Sequence, residues 1–284
     1  MPEMRENRYL AASVLDENDN MWVLGGYEDS NPSENNPSKS SEIFQYLPLP
    51  RKGYWKRGRP LPLALRDSGL ESHCAVSLNK THVFIAGGFA KAYYFHDHID
   101  DSIKNNKLDP LAEGIDLVNH GKIIPRRTRR QAGIGGGYSL KNAWIYDGYN
   151  WNQIADMQFV RDRPACSVMM KQDGSIRILV TGGCEGWCVK NPAMTYTEMY
   201  NPETNQWNRM ADLPVPLNSA RMELLDGIPT VIGGYDTDVG EQNQYLYQYL
   251  EQYDVWQRHP NITLRIARSS PAVFPVPSNL FSCF

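Results

Sequence analysis

Short apolar segments recur along the chain, and polar turn residues separate them. The segments "YLAASVL", "SHCAVSL", "ACSVMM" and "SARMELL" are each joined to a second apolar run, through "DENDN", "NK", "QDGS" and "DG" respectively. Asn, Asp and Gly suit tight hairpins because they tolerate positive φ. Apolar positions at helical spacing are nearly absent, so the pattern predicts antiparallel strands joined by hairpins.

Each second apolar run ends in two glycines, and a tyrosine and then a tryptophan follow each glycine pair. Paired glycines allow a sharp exit from a strand and a close approach of another backbone, while Tyr and Trp are large, flat packing groups. Each unit is therefore predicted to contain four antiparallel strands. The repeat positions are Gly25, Gly26, Gly87, Gly88, Gly182, Gly183, Gly233, Gly234, Tyr46, Tyr146, Tyr200, Tyr249, Trp55, Trp151, Trp207 and Trp256.

This arrangement resembles the Kelch repeat, which forms one blade of a β-propeller. The resemblance covers the whole chain apart from one insertion. It implies an all-β fold in a single propeller domain, 1–284, with four blades of four strands. The blades are expected at about 8–63, 71–160 with the insertion 91–140, 164–214 and 219–267, and "PAVFPV" is expected to begin an extra closing-type strand within 271–284.

The two ends of the chain do not match a closed ring. Met4-Arg5-Glu6 resembles Leu65-Arg66-Asp67 and Val160-Arg161-Asp162, which lead from one blade into the next. There are five first-strand segments but only four complete sets of the other three strands. We therefore expect an open or incomplete ring, as in a fragment of a larger propeller, for which six blades would be the family's common number. The alternative is a compact or open four-bladed assembly.

Composition changes this picture little. Net charge is −3, with 29 basic against 32 acidic residues, so we expect no nucleic-acid partner. No apolar run approaches the ~18 residues of a membrane-spanning helix. The chain has no Gly-x-Ser-x-Gly elbow, His-Glu-x-x-His pair or sialidase-type Asp box, and its six histidines are scattered. We expect a non-enzyme without catalytic residues, cofactor or metal. A sugar-processing or copper-dependent Kelch-propeller enzyme stays open as an alternative, because its residues would come from different blades.

The insertion holds three segments that could carry chemistry. "HDHIDD", at 96–101, could ligate a metal, but no further ligand is visible and a solvated polar loop is favoured. "PRRTRR", at 125–130, is interpreted as a solvated basic tract. "GIGGGY", at 133–138, lacks the strand and helix of a nucleotide-binding loop and is interpreted as a hinge.

A partner-binding face is what the resemblance implies. In Kelch propellers one face is built by the loops between the second and third strands and by the connections between blades. Arginine on a rigid rim suits carboxylates of a partner. For Arg66 and Arg161, each followed by Asp, inter-blade salt bridges are the alternative. The expected face contains Tyr27, Glu28, Arg66, Arg161, Arg163, Glu185, Trp187, Tyr235, Asp236 and Arg265.

The cellular setting is inferred from sequons and cysteines. Asn79 and Asn261 are candidate N-glycosylation sites. Cys184 and Cys188 share one loop and could pair, whereas Cys74 and Cys166 are expected to be buried free thiols. The expected function is a non-catalytic protein-interaction module, with a protein or glycan partner, of a secreted or extracellular Kelch protein. The alternative is a cytoplasmic protein, as the substrate-recognition propeller of a cullin ubiquitin-ligase adaptor.

Overall fold

The computed structural model describes residues 3–16, 20–28, 36–37, 40–46, 53–62, 65, 68–91, 118–119, 122–123, 137–171, 173–186, 188 and 191–273. Within this part of the chain, no helix is long and apolar enough to cross a membrane. The only helical segment among these residues that exceeds a single residue is a 3-10 turn, Glu251–Tyr253. The fold is all-β, as the sequence predicts.

The strands are short and follow one another through turns and loops. In chain order they are β1 (Arg8–Tyr9), β2 (Ala12–Leu15), β3 (Met21–Leu24), β4 (Tyr27–Glu28), β5 (Asn36–Pro37), β6 (Ser41–Tyr46), β7 (Gly53–Arg57), β8 (Cys74–Ser77), β9 (Val83–Ala86), β10 (Phe89–Lys91), β11 (Val118–Asn119), β12 (Lys122–Ile123), β13 (Gly137–Ser139), β14 (Ala143–Tyr146), β15 (Trp151–Gln153), β16 (Ala165–Met170), β17 (Ile176–Thr181), β18 (Thr197–Asn201), β19 (Gln206–Met210), β20 (Leu217–Asn218), β21 (Arg221–Leu225), β22 (Ile228–Ile232), β23 (Tyr235–Asp236), β24 (Glu241–Gln242), β25 (Tyr245–Leu250) and β26 (Val255–Thr263).

Four antiparallel four-stranded sheets form the blades. Blade A is β2-β3-β6-β7, blade B is β8-β9-β14-β15, blade C is β16-β17-β18-β19 and blade D is β21-β22-β25-β26. The first strands of consecutive blades, β2, β8, β16 and β21, contact one another in that order. Among the described residues the first strand of blade D, β21, makes no comparable contact with β2 of blade A, so these blades form an open arc. The closing-type strand expected within 271–284 lies mostly outside the described residues.

The glycine pairs lie where the connection to the following blade passes over the end of the second strand. The second glycine of each pair donates its N–H to a carbonyl of that connection: Gly26 to Leu70, Gly88 to Arg161, Gly183 to Leu217 and Gly234 to Arg268, at 2.7–2.9 Å. All eight glycines have positive φ. A β-carbon at Gly183 would lie 2.7 Å from the carbonyl oxygen of Asp162, so the close approach and the backbone conformation both require glycine.

The aromatic pair of each blade joins the third and fourth strands. Tyr146–Trp151, Tyr200–Trp207 and Tyr249–Trp256 lie directly opposite each other, with ring centroids 5.1–5.4 Å apart. In blade A the sequence assignment of Tyr46 is wrong, because Phe44 lies opposite Trp55 and Tyr46 pairs with Gly53. The spacing between Tyr46 and Trp55 is longer than the Tyr-to-Trp spacing in the other blades, so the repeat pattern did not reveal this register.

Tryptophans also tie blades C and D to the blade that precedes each of them. The indole N–H of Trp207 in blade C donates to the Ala155 carbonyl, which follows the last strand of blade B, at 2.8 Å. That of Trp256 in blade D donates to the Ala211 carbonyl, which follows blade C, at 3.1 Å. Buried tryptophan N–H groups need such acceptors, so these bonds fix the order and spacing of blades.

Each connection that leads into a blade contains one residue other than glycine with a left-handed backbone conformation. Leu10, Ser72, Arg163, Ser219 and Ser270 have φ between 49° and 57°. From Ser72 onward, each N–H donates to the carbonyl of the preceding member of this series, at 2.9, 3.0, 3.1 and 2.6 Å in turn. Positive φ is uncommon for residues with a β-carbon, and it persists here because the surrounding hydrogen bonds enforce it. We call these five residues the axial series.

A buried ion pair fixes blade C to the connection that enters it. Arg161, whose side chain is fully buried, pairs with Glu198 of β18 at 2.9 Å. Its guanidinium also donates to the carbonyls of Gly182 and Tyr196, at 2.6 and 2.9 Å. Arg161 therefore does not reach the partner-binding face that the sequence assigned to it, and the salt-bridge alternative describes its contacts.

Blade A repeats this arrangement with Arg8, not with the Arg5 that the sequence comparison aligned. The buried Arg8 guanidinium contacts Glu42 at 3.4 Å and donates to the carbonyls of Gly25 and Ser40, at 2.9 and 3.1 Å. Arg5 contributes only its backbone N–H, which donates to the Glu42 carboxylate at 3.1 Å. In both blades, A and C, the arginine precedes the axial-series residue by two positions.

Two disulfides are present among the described residues. Cys74 of β8 and Cys166 of β16 are bonded, with Cα atoms 5.8 Å apart, so the expectation of buried free thiols is wrong for both. They occupy positions that differ by one residue relative to the axial series, and the offset of adjacent blades brings them together. Cys184 and Cys188 also form a disulfide, closing a short loop after the glycine pair of blade C.

Candidate functional site at the channel mouth

A cavity of about 200 Å³ lies where the connections that enter the blades converge. Four connections contribute their axial-series residue together with one or two residues that follow it, and the fifth contributes Ser270 alone. The cavity therefore forms the mouth of the central channel of the arc. Its lining is Leu10, Ala11, Ser72, His73, Arg163, Pro164, Ser219, Ala220, Arg221 and Ser270.

The lining is cationic and rich in hydroxyl groups. Arg221, the first residue of β21, has a pKa lowered mainly by burial, and no hydrogen bond from its side chain is found among the described residues. Arg163 has a buried Nε without a hydrogen-bond acceptor in that part of the chain, and lies 3.9 Å from Asp162 Oδ2. Both guanidinium groups therefore retain hydrogen-bonding capacity for an anionic group.

His73 adds a buried imidazole to the mouth. It is 4% exposed, and neither ring nitrogen has a hydrogen-bond partner among the described residues. Burial, and then the charge of Arg221, lower its pKa to about 3. The ring is therefore neutral at physiological pH and can donate one hydrogen bond to a bound group.

Two buried carboxylates lie beside this cationic lining. Glu71 and Asp162 directly precede Ser72 and Arg163, and each has one carboxylate oxygen without a partner in the described structure. Burial and the charge of Asp162 raise the pKa of Glu71 to about 8, although Arg163 opposes the shift. Burial raises the pKa of Asp162 to about 6, against the effects of Arg163 and the Cys188 N–H.

Aromatic residues lie beside residues that line the mouth. Tyr27, directly after a glycine pair, lies opposite Tyr9 with ring centroids 5.0 Å apart, and Tyr9 is half-exposed. Burial, then the charge of Glu71, raise the pKa of Tyr27 to about 12. Tyr235 occupies the equivalent position in blade D and is partly exposed. Glu28 follows Tyr27 in β4 and pairs with Arg8 of β1.

The Cys184–Cys188 loop forms another part of the face. Asp162 and Cys184 exchange backbone hydrogen bonds at 2.9 Å, and the Cys188 N–H donates to the Asp162 carboxylate at 3.1 Å. Glu185, between the two cysteines, is exposed. The disulfide thus holds an exposed acidic residue next to the cationic mouth.

The structure brings together only part of the face that the sequence assigned. Arg163 lines the cavity, and Tyr27, Glu185, Tyr235 and Asp236 follow the glycine pairs. Arg265 is exposed, beyond the last strand of blade D. Arg66 and Trp187 lie outside the described residues, as do most of the insertion and "HDHIDD". In the described part of the chain no group of three or more metal-ligating side chains is found.

Sequence reasoning missed the residues that line the mouth most closely. Ser72, Ser219 and Ser270 share no residue type with Leu10 or Arg163, so no motif marks the axial series. A usable signal was the position two residues after a recurring Arg or Leu. Aligning "RYL", "LES", "RDR", "LNS" and "RSS" in register would have found all five members and, two residues further on, Arg221.

The two candidate glycosylation sites lie away from the mouth. Asn79 occupies the hairpin between β8 and β9, where its side-chain oxygen accepts the N–H of Thr81 at 2.9 Å. Asn261 is exposed on β26, within the stretch where the pairing of β25 with β26 shifts register. Neither residue lines the cavity.

Comparison with known proteins agrees with the architecture. The family model of the Kelch motif matches residues 177–214, which lie within blade C and the connection that follows it. Human Kelch-like protein 23 is 25% identical over 256 residues, covering 84% of this chain and 39% of the relative. Alpha-scruin of Limulus polyphemus is 25% identical over 167 residues, covering 49% and 17%. Kelch-like ECH-associated protein 1B of Danio rerio is 25% identical over 142 residues, covering 47% and 23%. The chain thus spans well under two thirds of these relatives.

Proposed function

We propose that this chain, whose four blades are built from Kelch-type repeats, is a non-catalytic interaction module whose channel mouth binds an acidic segment of a protein partner. The observation that carries this proposal is the pairing of two incompletely satisfied arginines, Arg163 and Arg221, in one cavity. A guanidinium group forms its strongest hydrogen bonds with carboxylate, and those bonds gain strength where water is excluded.

The size and lining of the mouth fit a side chain rather than a whole ligand. A cavity of about 200 Å³ accommodates one or two carboxylate side chains. The hydroxyl groups of Ser72, Ser219 and Ser270 supply further hydrogen bonds around them. The exposed rings of Tyr9 and Tyr235 offer apolar area for the neighbouring residues of a peptide. Aromatic residues and arginine are the types that most often dominate interface energetics.

Peptide binding tests this function directly. A fluorescein-labelled hexaglutamate peptide should bind the protein, and the Arg163→Ala/Arg221→Ala variant should weaken binding by at least tenfold, as measured by fluorescence anisotropy. The matched control is Lys171→Ala/Arg177→Ala, which removes the same charge away from the cavity and should retain most of the affinity. Equal losses in the two variants would show that binding follows net charge alone, and would contradict the proposal.

A secreted or extracellular setting is the finer part of the proposal. Two disulfides among the described residues support it, since disulfides persist in oxidising compartments and are uncommon in the cytosol. The protein should show both disulfides intact by mass spectrometry after alkylation when it is expressed through a secretory route. If both pairs stay reduced there and the protein still folds and binds the peptide, the extracellular setting loses its support.

A second setting, a substrate-recognition propeller of a cullin ubiquitin-ligase adaptor in the cytoplasm, is favoured by one observation. The human Kelch-like relative aligns with 84% of this chain. In this setting Cys74 and Cys166 would be reduced, and the propeller would have to fold without their cross-link. Expression in a reducing cytosol, with free thiols counted on the folded protein, separates the two settings.

A further inference from the structure

We propose that Glu71 and Asp162 form a pH-sensitive gate on the channel mouth, in which neutralisation of these carboxylates strengthens the binding of an anionic group by Arg163 and Arg221. The proposal rests on the function proposed above and adds its regulation. It is carried by the position of two buried acids against a cationic cavity.

Glu71 and Asp162 each directly precede a member of the axial series, and this position brings them next to each other at the rim of the cavity. The Arg163 N–H donates to the Ser72 carbonyl at 3.0 Å, so Glu71-Ser72 and Asp162-Arg163 run side by side along the rim. Glu71 is 7% exposed and Asp162 is 1% exposed. Each acid has a buried carboxylate oxygen without a hydrogen-bond donor in the described part of the chain. Their negative charges are therefore poorly compensated except by Arg163, which itself lines the cavity.

Competition for Arg163 gives the direction of the effect. When Glu71 and Asp162 are ionised, they attract the guanidinium of Arg163 and repel an anion that enters the mouth. When they are protonated, Arg163 is released and the potential of the cavity becomes more positive. With pKa values of about 8 for Glu71 and about 6 for Asp162, both acids are neutral well below pH 6 and both are ionised above pH 8. Anion binding should therefore tighten as the pH falls through this window.

Other ionisable groups around the gate do not account for such a change. His73 has a pKa lowered to about 3, and Tyr27, which faces Glu71, has a pKa raised to about 12, so both stay neutral in this window. Arg221 stays cationic. Glu223 faces Arg221, and burial raises its pKa while Arg221 opposes the shift, so its contribution has the same sign. A Glu223→Gln variant measures that contribution separately.

Sulfate is a suitable probe because its charge does not change in this pH range. Titration calorimetry should give an affinity of the wild-type protein that is roughly tenfold higher at about pH 5 than at about pH 9. Glu71→Gln should remove part of this dependence, and Glu71→Gln/Asp162→Asn should remove most of it and bind at about pH 9 nearly as well as the wild type does at about pH 5. Asp162 also accepts the Cys188 N–H, so Asp162→Asn is the second variant and Glu71→Gln the cleaner one. Asp173→Asn, at an exposed carboxylate far from the cavity, should leave the pH dependence unchanged.

The outcomes separate the gate from the pocket. Sulfate binding that needs Arg163 and Arg221 but does not vary with pH would overturn the gate and leave the anionic pocket intact. Sulfate binding that varies equally in wild type and Glu71→Gln/Asp162→Asn would also overturn the gate. Absence of sulfate binding at every pH, in the wild type and in Glu71→Gln alike, would overturn the pocket and the gate together.

Discussion

At one pair of equivalent positions, blades A and C contain a buried ion pair, whereas blades B and D contain packed apolar side chains. Two residues before the axial series, blades A and C have Arg8 and Arg161, and each arginine contacts a glutamate on the third strand. At the same two positions blade B has Leu70 and Trp144, which belong to one hydrophobic cluster. Blade D has Leu217 and Tyr247, which likewise pack in one cluster.

The comparison extends to the carbonyl groups beneath this position. In blade C, Arg161 donates to the carbonyls of Gly182 and Tyr196. Blade D has no arginine there, and Asn243 donates to the equivalent carbonyls of Gly233 and Tyr245, at 2.9 and 2.8 Å. A different residue, on a different segment, thus satisfies the same acceptors. The fold requires that the space be filled and the carbonyls paired, and it does not require one residue type.

This difference predicts how the stability of each kind of blade responds to substitution at these positions. A buried ion pair leaves an uncompensated charge when one partner is removed, so it tolerates partial change poorly. An apolar pair loses contacts and gains a cavity, and the surroundings can relax into part of it. The two kinds of blade should therefore differ more in their response to substitution than in their stability when intact.

Arg161→Ala should have the largest effect. The substitution leaves the fully buried Glu198 carboxylate without its ion-pair partner, and it removes the hydrogen-bond donor to two carbonyl groups. We expect a loss of about 3–5 kcal/mol in the free energy of unfolding, measured by urea denaturation. The control is Arg209→Ala, whose exposed pair with Asp212 should contribute less than about 1 kcal/mol. A similar small loss for both variants would contradict a stabilising role of burial in this pair.

Leu217→Ala should cost less than Arg161→Ala. Leu217 is 1% exposed in the cluster with Tyr247, so its truncation removes buried contacts without leaving a charge. A loss of about 2–3 kcal/mol is expected from the same denaturation experiment, and Leu217→Met should lose less than about 1.5 kcal/mol. If Leu217→Ala destabilises the protein as much as Arg161→Ala does, the charged and apolar blades do not differ in the way described.

The sequence predicted the blades because their signals are local. Hairpin turns, paired glycines and the Tyr–Trp pairs lie within one unit, and their repetition identified four sheets. The register of Phe44 against Trp55 failed because blade A departs from the Tyr spacing of the other blades. The Cys74–Cys166 bond was missed because it depends on the offset between adjacent blades, which no single repeat encodes.

The site was less predictable than the fold. Arg163 was found because arginines in the connections stood out, but Arg161, two residues earlier, is fully buried. Residues two apart in an extended segment point to the same side, but the left-handed backbone of Arg163 changes the direction of the chain, so Arg161 is buried while Arg163 lines the cavity. The acids Glu71 and Asp162 and the imidazole of His73 acquire their properties from burial between blades, which requires the assembled arc.

Glu71 is a buried carboxylate without a full ion pair, so removing its charge should stabilise the protein at high pH. Removing one partner of the Arg161–Glu198 ion pair should instead destabilise it. The pKa of Glu71 is raised to about 8, so the folded state binds a proton more tightly than the unfolded chain does. Stability therefore falls as the pH rises from the ordinary glutamate range through about 8. Glu71→Gln should be more stable than the wild type by on the order of 1–2 kcal/mol at about pH 9, and nearly equal to it at about pH 5, in thermal melts. A variant that is less stable than the wild type at both pH values would contradict this assignment.

Converting blade C to the blade D arrangement should have the smallest net effect. Met194 occupies the position of Asn243, since their N–H groups donate to Gly183 and Gly234 respectively. The triple variant Arg161→Leu/Glu198→Tyr/Met194→Asn replaces the ion pair by an apolar pair and restores a donor for the two carbonyls. We expect its unfolding free energy to lie within about 1.5 kcal/mol of the wild type, because replacing a complete buried ion pair by packed groups is often neutral. The partial variant Arg161→Leu should lose about 3–5 kcal/mol. A triple variant no more stable than Arg161→Leu would show that the two solutions are not interchangeable, and that each blade depends on its own wider surroundings.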